Sequence, residues 1–320
     1  MELASNRTTE IKPQRRPRFR RVKTLRFQLQ DRDVEIIKLV HKYRFVSSDN
    51  ILALMPGSRK GILRRLCFLF HGGYLERPPE QIKPLVPGSR PLVYGLGKRG
   101  ADVLHQELGI PHGKIDWTRK NREVKQLFLE HTLMVSNFMI CLTLACKRQG
   151  DVRVMDAAEI VSGKPMLHVK TSFKFKGQVY NLNYRLEPDR VFGIHFTNDP
   201  PGSNRAFFLL EADRSTMPVR RTNPYKSCFE KKLKGYWTCW QKGMFKETFG
   251  FQNARVIILA KSNDRIANMI KVCRELGEKG KAPRMFLFTL ESDFNPKDVD
   301  KVLARIWRNA NDDRLVSLID

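Results

Sequence analysis

Between Val152 and Glu211 five strand-type runs follow one another with only polar breaks between them, and no other stretch limits the fold of this chain so strongly. The runs are Val152 to Ile160, Leu167 to Phe175, Gln178 to Arg185, Asp189 to Phe196 and Ala206 to Glu211, each built from β-branched, aromatic and other apolar residues. A helical pattern from Lys125 to Arg148 precedes them. Its Leu127, Phe128, Leu133, Met134, Phe138, Ile140, Leu142 and Leu144 spread apolar groups around much of the circumference, as in a buried packing helix. Behind the strands the periods alternate: helix Tyr225 to Lys246, strand Ala254 to Ala260, helix Arg265 to Leu276, strand Arg284 to Leu290 and helix Pro296 to Asn309. A helix, a run of strands and then alternation predicts a mixed central sheet in an α/β domain over residues 125–320.

The N-terminal part has a different character. Residues 1–26 carry Arg7, Lys12, Arg15, Arg16, Arg18, Arg20, Arg21, Lys23 and Arg26 against Glu2 and Glu10, with Pro13 and Pro17 among them, and read as a flexible basic arm. Residues 27–110 hold three helical patterns. The first follows Asp31, the second follows Ser47 or Ser48 and stops at Pro56-Gly57, and the third follows Ser58 and runs to Gly72-Gly73. The third places Ile62, Leu63, Leu66, Leu69 and Phe70 on one face and Lys60 and Arg64 on the opposite face, with Arg65 at its flank. Two short strand-like runs, Tyr74 to Arg77 and Leu92 to Leu96, flank a loop with Lys83 and Arg90, and a helix from Lys98 to Leu108 follows.

Helix, short helix, basic helix and ribbon is the order of a winged helix-turn-helix, whose third helix lies in the major groove of double-stranded DNA. Arg59, Lys60, Arg64 and Arg65, with Arg18, Arg20 and Arg21 of the arm, are the expected DNA contacts. The competing reading is a protein-interaction module with a solvated basic face. Residues 111–124 are hydrophilic and read as a linker.

A formal charge of +26, from 59 Lys and Arg against 33 Asp and Glu, favours a polyanionic partner, and nucleic acid is the first candidate. No apolar leader and no run of roughly 20 apolar residues is visible, so a cytoplasmic protein without a membrane span is expected. The six cysteines lie in apolar stretches without a CxxC pair and read as small buried hydrophobes. No phosphate loop, nucleophile elbow or dinucleotide fingerprint is present.

Chemistry concentrates in Glu187-Pro188-Asp189 and Phe207-Phe208-Leu209-Leu210-Glu211-Ala212-Asp213. Glu211 and Asp213, two apart on a strand, share a face, and Asp189 at the start of the preceding strand is placed to join them. Three converging carboxylates call for a cation, and hard oxygen donors suit Mg²⁺ or Mn²⁺. His131 reads as a core histidine oriented by a hydrogen bond. Tyr236, Trp237 and Trp240 can stack on bases, although their helical spacing is more often that of a core.

These residues resemble the PD-(D/E)xK nuclease superfamily, with Pro188-Asp189 at the second motif and Glu211-Ala212-Asp213 at the third. Glu130 is placed like that superfamily's helical acid. The third motif departs from the pattern, because Asp213 stands where Lys is usual. Some lineages supply the lysine from the following helix, and Lys232, four residues before Tyr236, is placed for it. The resemblance implies that Asp189 and Glu211 hold the metal with the Ala212 carbonyl, that Asp213 supports a second ion, and that Lys232 orients the attacking water.

Over nearly the whole chain the sequence resembles the replication-relaxation family. The resemblance rests on Glu130-His131-Thr132-Leu133-Met134-Val135-Ser136-Asn137, Pro188-Asp189, Leu210-Glu211-Ala212-Asp213-Arg214-Ser215-Thr216 and Lys232-Leu233-Lys234-Gly235-Tyr236. It implies work on DNA of bacterial plasmids or other mobile elements; taken with the PD-(D/E)xK resemblance, the expected activity is that of a metal-dependent endonuclease or nickase. The alternatives are a non-catalytic accessory factor that docks a relaxase, replication or transposition protein, and a transcriptional regulator.

Overall fold

Ser47 Oγ accepts the Asn50 N–H at 3.1 Å and Ser58 Oγ accepts the Gly61 N–H at 3.1 Å, so two early helices begin where a side chain satisfies a donor that the helix itself leaves open. The computed structural model describes residues 17–22, 27–82, 91–112, 118–175, 177–223, 225–277, 280–312 and 314–320. Arg7, Lys12, Arg15, Arg16, Lys23 and Arg26 of the basic arm, and Lys83 and Arg90 of the predicted loop, lie outside the described residues. In chain order the first elements are α1 (Asp31–Tyr43), β1 (Phe45–Ser47), α2 (Ser48–Leu54), α3 (Arg59–His71), β2 (Leu75–Glu76), β3 (Val93–Leu96), α4 (Lys98–Leu108) and α5 (Thr118–Arg122). The long helix α6 (Gln126–Gln149) follows, then β4 (Val152–Asp156), α7 (Ala157–Ile160), β5 (Leu167–Phe175), β6 (Gln178–Leu186), β7 (Arg190–Phe196) and β8 (Arg205–Ala212). The chain ends with α8 (Phe229–Gln241), α9 (Met244–Phe249), β9 (Arg255–Ala260), α10 (Asn263–Leu276), β10 (Phe286–Leu290), β11 (Trp307–Asn309) and β12 (Leu315–Val316).

Contacts divide the chain into two units: Met1–Arg44 with Gly57–Val124, and Phe45–Pro56 with Lys125–Asp320. In the first, Ile36, Ile37, Val40, Ile62, Leu66, Leu69 and Leu104 are fully buried, and β2 pairs antiparallel with β3, Leu75 opposite Leu96. Inside this core Asp33, with no exposed surface, forms an ion pair with Arg65, whose Nε lies 2.8 Å from Oδ1 and whose Nη2 also donates to the Gln28 carbonyl at 2.8 Å. Buried Glu76 takes two arginines, Arg21 at 2.7 Å and Arg122 at 2.8 Å. Arg122 belongs to α5, and Asn121 beside it donates to the Leu96 carbonyl at 3.0 Å. Part of the stretch that reads as a linker is therefore a helix anchored by polar contacts, while residues 113–117 lie outside the described residues.

The second unit is a mixed α/β structure around a seven-stranded sheet in the order β12-β11-β10-β9-β8-β7-β4. β8, β9 and β10 run parallel, and their neighbours on both sides are antiparallel. β5 and β6 form a separate two-stranded ribbon, Leu167 opposite Leu186. α8 and α10 close one face with Phe229, Leu233, Tyr236, Met269 and Cys273. α6 packs on β4 and β8, its Phe138 in ring contact with Phe192, Phe294 and Trp307. Among the described residues α6 is the one helix with the length and mean hydropathy of a membrane span, and Phe138, Ile140, Cys141 and Leu142 of it are fully buried in the fold. All six cysteines are free, and five of them are buried.

Three expected elements differ. The strand expected over Val152 to Ile160 stops at Asp156, where a capping box with Glu159 starts α7. The helix expected from Tyr225 to Lys246 is two helices, because Gly243 at φ 71 breaks the run between them. The helix expected from Pro296 to Asn309 is a 3₁₀ turn at Asp300–Leu303 followed by β11. Val299, Val302 and Ile306 mimic a helical period, but pairing with β10 and burial of Trp307, whose Nε1 donates to the Val302 carbonyl, decide otherwise.

Arg65→Ala leaves the Asp33 carboxylate buried without its partner and is expected to cost roughly 3–5 kcal/mol of stability. Lys60→Ala on the exposed part of the same helix is expected to stay within about 0.5 kcal/mol, and urea titration of both variants makes the comparison.

Candidate functional site

The antiparallel pairing of β7 with β8, Arg190 opposite Leu210, carries Asp189 alongside Glu211. The Asp189 N–H donates to the Leu210 carbonyl at 2.9 Å, and Asp189 Oδ2 accepts the Ala212 N–H at 2.8 Å. Its other oxygen lies 3.1 Å from Nε2 of His131, in the second turn of α6. Glu211 occupies the end of β8 and is held from α8, where Lys232 and Tyr236 stand one turn apart on a single face. Lys232 Nζ is 2.5 Å from Oε2, and Tyr236 donates its hydroxyl to Oε1 at 2.5 Å. The Glu211 side chain is 1% exposed while those of Lys232 and His131 are each 31% exposed, so the cluster meets solvent mainly through these two nitrogen groups.

Burial pushes the Glu211 carboxyl up to about 7, against the pull of Lys232 and with Asp189 adding to the rise. Burial also pushes Asp189 upward, but the His131 hydrogen bond, the Lys232 charge and the Ala212 N–H outweigh it and hold the group below the usual carboxylate value. The hydrogen bond to Asp189 raises His131 despite desolvation. Burial lowers Lys232, yet Glu211 and Asp189 together carry it above the ordinary lysine value. Burial, with the Glu211 charge behind it, raises Tyr236 far above a free phenol.

The structure thus brings Asp189, Glu211 and Lys232 together. The third carboxylate behaves differently. Asp213 is gripped by Arg265, Nε to Oδ2 at 2.6 Å and Nη2 to Oδ1 at 3.0 Å, and its N–H donates to the Leu259 carbonyl. Among the described residues no group of three or more His, Cys, Asp or Glu side chains is arranged to hold a metal ion. Asp213, whose charge still reaches Lys232, thus differs from the other two carboxylates in being already neutralised by an arginine. Glu130 accepts from Gln126 at 2.9 Å and pairs with Arg214 at 3.4 Å; the buried Nε of Arg214 has no hydrogen-bond partner among the described residues.

His131 and Arg265 are contributors that the residue pattern does not announce. His131 reads as a core histidine oriented by a hydrogen bond; the fold supplies that bond, to Asp189, but leaves the ring only half-buried. Arg265 had a readable signal: a cation in the first turn of a helix opposes the helix dipole, so its position calls for an acidic partner.

Of the expected DNA contacts, Arg18, Arg20, Arg59, Lys60 and Arg64 are exposed. Arg65 is committed to Asp33, and Arg21 to Glu76 and to the carbonyls of Phe70 and Leu75. Of the expected stacking residues, Tyr236 is buried on Glu211. Trp237 and Trp240 stack on each other, centroids 5.0 Å apart, and with Arg205, Arg255 and Arg284 line an open cavity of about 440 Å³ at the other end of β8.

A family model described as replication-relaxation matches residues 37–254, more than half of the chain. No curated protein and no solved structure matches it.

Glu211 binds its proton more tightly folded than unfolded, so its burial costs nothing below about pH 4.5 and reaches its full cost above about 7. Glu211→Gln removes that cost. Its Tm is expected to gain steadily on wild type as the pH is raised across this window and to differ little below it, as followed by thermal denaturation at each pH.

Proposed function

The chain belongs to the replication-relaxation family, a replication- or relaxation-related protein of a plasmid or mobile element, and from that premise we propose that it is a metal-dependent DNA endonuclease that nicks element DNA. One observation carries the reading: two carboxylates and an ammonium converge from three different elements, Asp189 ahead of β7, Glu211 on β8 and Lys232 on α8. This is the constellation that a phosphodiesterase of the PD-(D/E)xK kind needs, with the lysine supplied from the helix in place of Asp213.

The donors suit one divalent ion. Mg²⁺ binds through one or two carboxylates and otherwise keeps its waters, and a carboxyl pushed up to about 7 by burial is a group that a cation would bring back to its charged form. Asp189 and Glu211, with the Ala212 carbonyl, would hold that ion; Asp213 would not. The ion supplies charge to stabilise the negative charge that develops on a phosphodiester under attack. The protein's own groups position the rest. His131 fixes the orientation of Asp189, and Tyr236 fixes that of Glu211. Lys232, with three donors and part of its surface in solvent, is placed to orient the attacking water or to offset charge on the phosphate. The exposed Arg59, Lys60 and Arg64 of α3, with Arg18 and Arg20, would draw in the duplex.

A second reading has one observation in its favour. Every oxygen of Asp189 and Glu211 already has a donor from the protein, which is how an inert ion-pair network in a non-catalytic accessory factor would look.

A plasmid-nicking assay in Mg²⁺ or Mn²⁺ separates the two. Asp189→Asn is expected to abolish cleavage, and Lys232→Ala to lower it at least about a hundredfold while calorimetry still detects the metal. Wild-type protein that neither binds the ion nor nicks DNA leaves the accessory factor. For binding, Lys60→Ala with Arg64→Ala should flatten the log–log salt dependence of duplex affinity by about 0.9 for each lost phosphate contact.

A further inference from the structure

The ribbon of β5 and β6 stands apart from the seven-stranded sheet, and its two faces differ in kind. The inner face, Leu167, Val169, Leu182 and Leu186, is buried. It lies against α8 at Gly235, where a Cβ would fall 2.9 Å from both Leu186 Cδ2 and the Tyr184 hydroxyl, so any larger residue would have to displace both side chains. The outer face follows from the register: His168 opposite Arg185, Lys170 opposite Asn183 and Ser172 opposite Asn181. All six are exposed.

Neither strand contains an aspartate or glutamate in its sequence, although the chain as a whole has 33. A solvated face ordinarily mixes both signs of charge; this one offers two cations, an imidazole, two amides and a hydroxyl. A two-stranded ribbon fits the major groove. There, arginine and lysine meet phosphates or guanine, and asparagine meets adenine through paired hydrogen bonds. The ribbon also has a fixed place relative to the cluster described above, since β6 ends at Leu186 and Glu187-Pro188 lead directly into Asp189.

We propose that the outer face of the β5–β6 ribbon is a DNA-contact surface that lies in the major groove of the duplex beside the Asp189–Glu211–Lys232 cluster. Lys170 and Arg185 would grip phosphates, and Asn181 and Asn183 would read base edges. This rests on DNA being what the cluster acts on, but it does not require that the cluster cut.

The test is fluorescence anisotropy with a labelled duplex of mixed sequence in chelator, over a salt series, with plasmid nicking in Mg²⁺ measured separately. Lys170→Ala with Arg185→Ala is expected to weaken duplex binding at least about tenfold and to flatten the log–log salt slope by nearly 2, at about 0.9 per phosphate. Thermal melting should be unchanged, because both side chains are exposed. Asn181→Ala with Asn183→Ala is expected to keep the slope and to lose the sequence preference that wild type shows in selection from a random duplex pool. Affinity and slope equal to wild type in the Lys170/Arg185 variant overturn the proposal, as does wild type that binds only single strands or no DNA. If the variant binds and nicks like wild type, the ribbon assignment falls and the nuclease reading stands; if the variant loses binding but wild type never nicks, the ribbon assignment stands and the nuclease reading falls.

Discussion

A carboxylate with almost no solvent at the end of a central strand is tolerable only if donors are brought to it, and for Glu211 both donors come from α8. That requirement organises the second unit. α8 must approach closely enough for Lys232 and Tyr236 to reach β8, and the space is available because Gly235, between them on the helix, lets the β5–β6 ribbon pass without a side chain in the way. Asp189, ahead of the neighbouring strand, then shares the positive charge of Lys232 and meets the His131 ring on the opposite layer. Helix, sheet and ribbon meet at one buried charge.

Much of this architecture was legible in the order of residues. β5 spans the run that its alternation marks, and β7, β8 and β9 lie within a residue of theirs, because strands bounded by Gly, Pro and polar turns leave a clear period. The convergence of Lys232 on Glu211 is what the nuclease resemblance implies; the four-residue spacing by itself places only Lys232 and Tyr236 on one face. What was hidden is what depends on distant partners. The C-terminal segment has a helical period and becomes a strand, because an unpaired edge of β10 and a pocket for Trp307 reward the extended form more. Asp213 looks like a ligand in sequence because Arg265, which claims it, is remote along the chain.

The basic residues of the first unit show why net charge alone misassigns individual side chains. Arg21, Arg65 and Arg122 contribute to the +26 balance, yet each is already paired with an acid of the protein, Glu76 or Asp33. A guanidinium carries several donors in a fixed fork, so one arginine can neutralise a buried acid and still satisfy a backbone carbonyl, as Arg65 does with Gln28. Arg64, next to it in sequence, remains exposed on the helix surface. Adjacent arginines with opposite assignments are resolved only by knowing which face of α3 meets Asp33.

The hydropathy of α6 bears on the order of events during synthesis. This helix leaves the ribosome before β4 and β8, the strands that cover it, and long before the 3₁₀ turn at Asp300–Leu303 that also lies against it. Until those segments arrive, a stretch as apolar as a bilayer-spanning segment has only β1 and α2, made before it, to pack against. Contacts so distant in sequence form slowly, and the intermediate that precedes them is the species most exposed to aggregation or to capture by chaperones. A nascent or truncated chain that ends between α6 and β8 would therefore be the form of this protein least able to remain in solution.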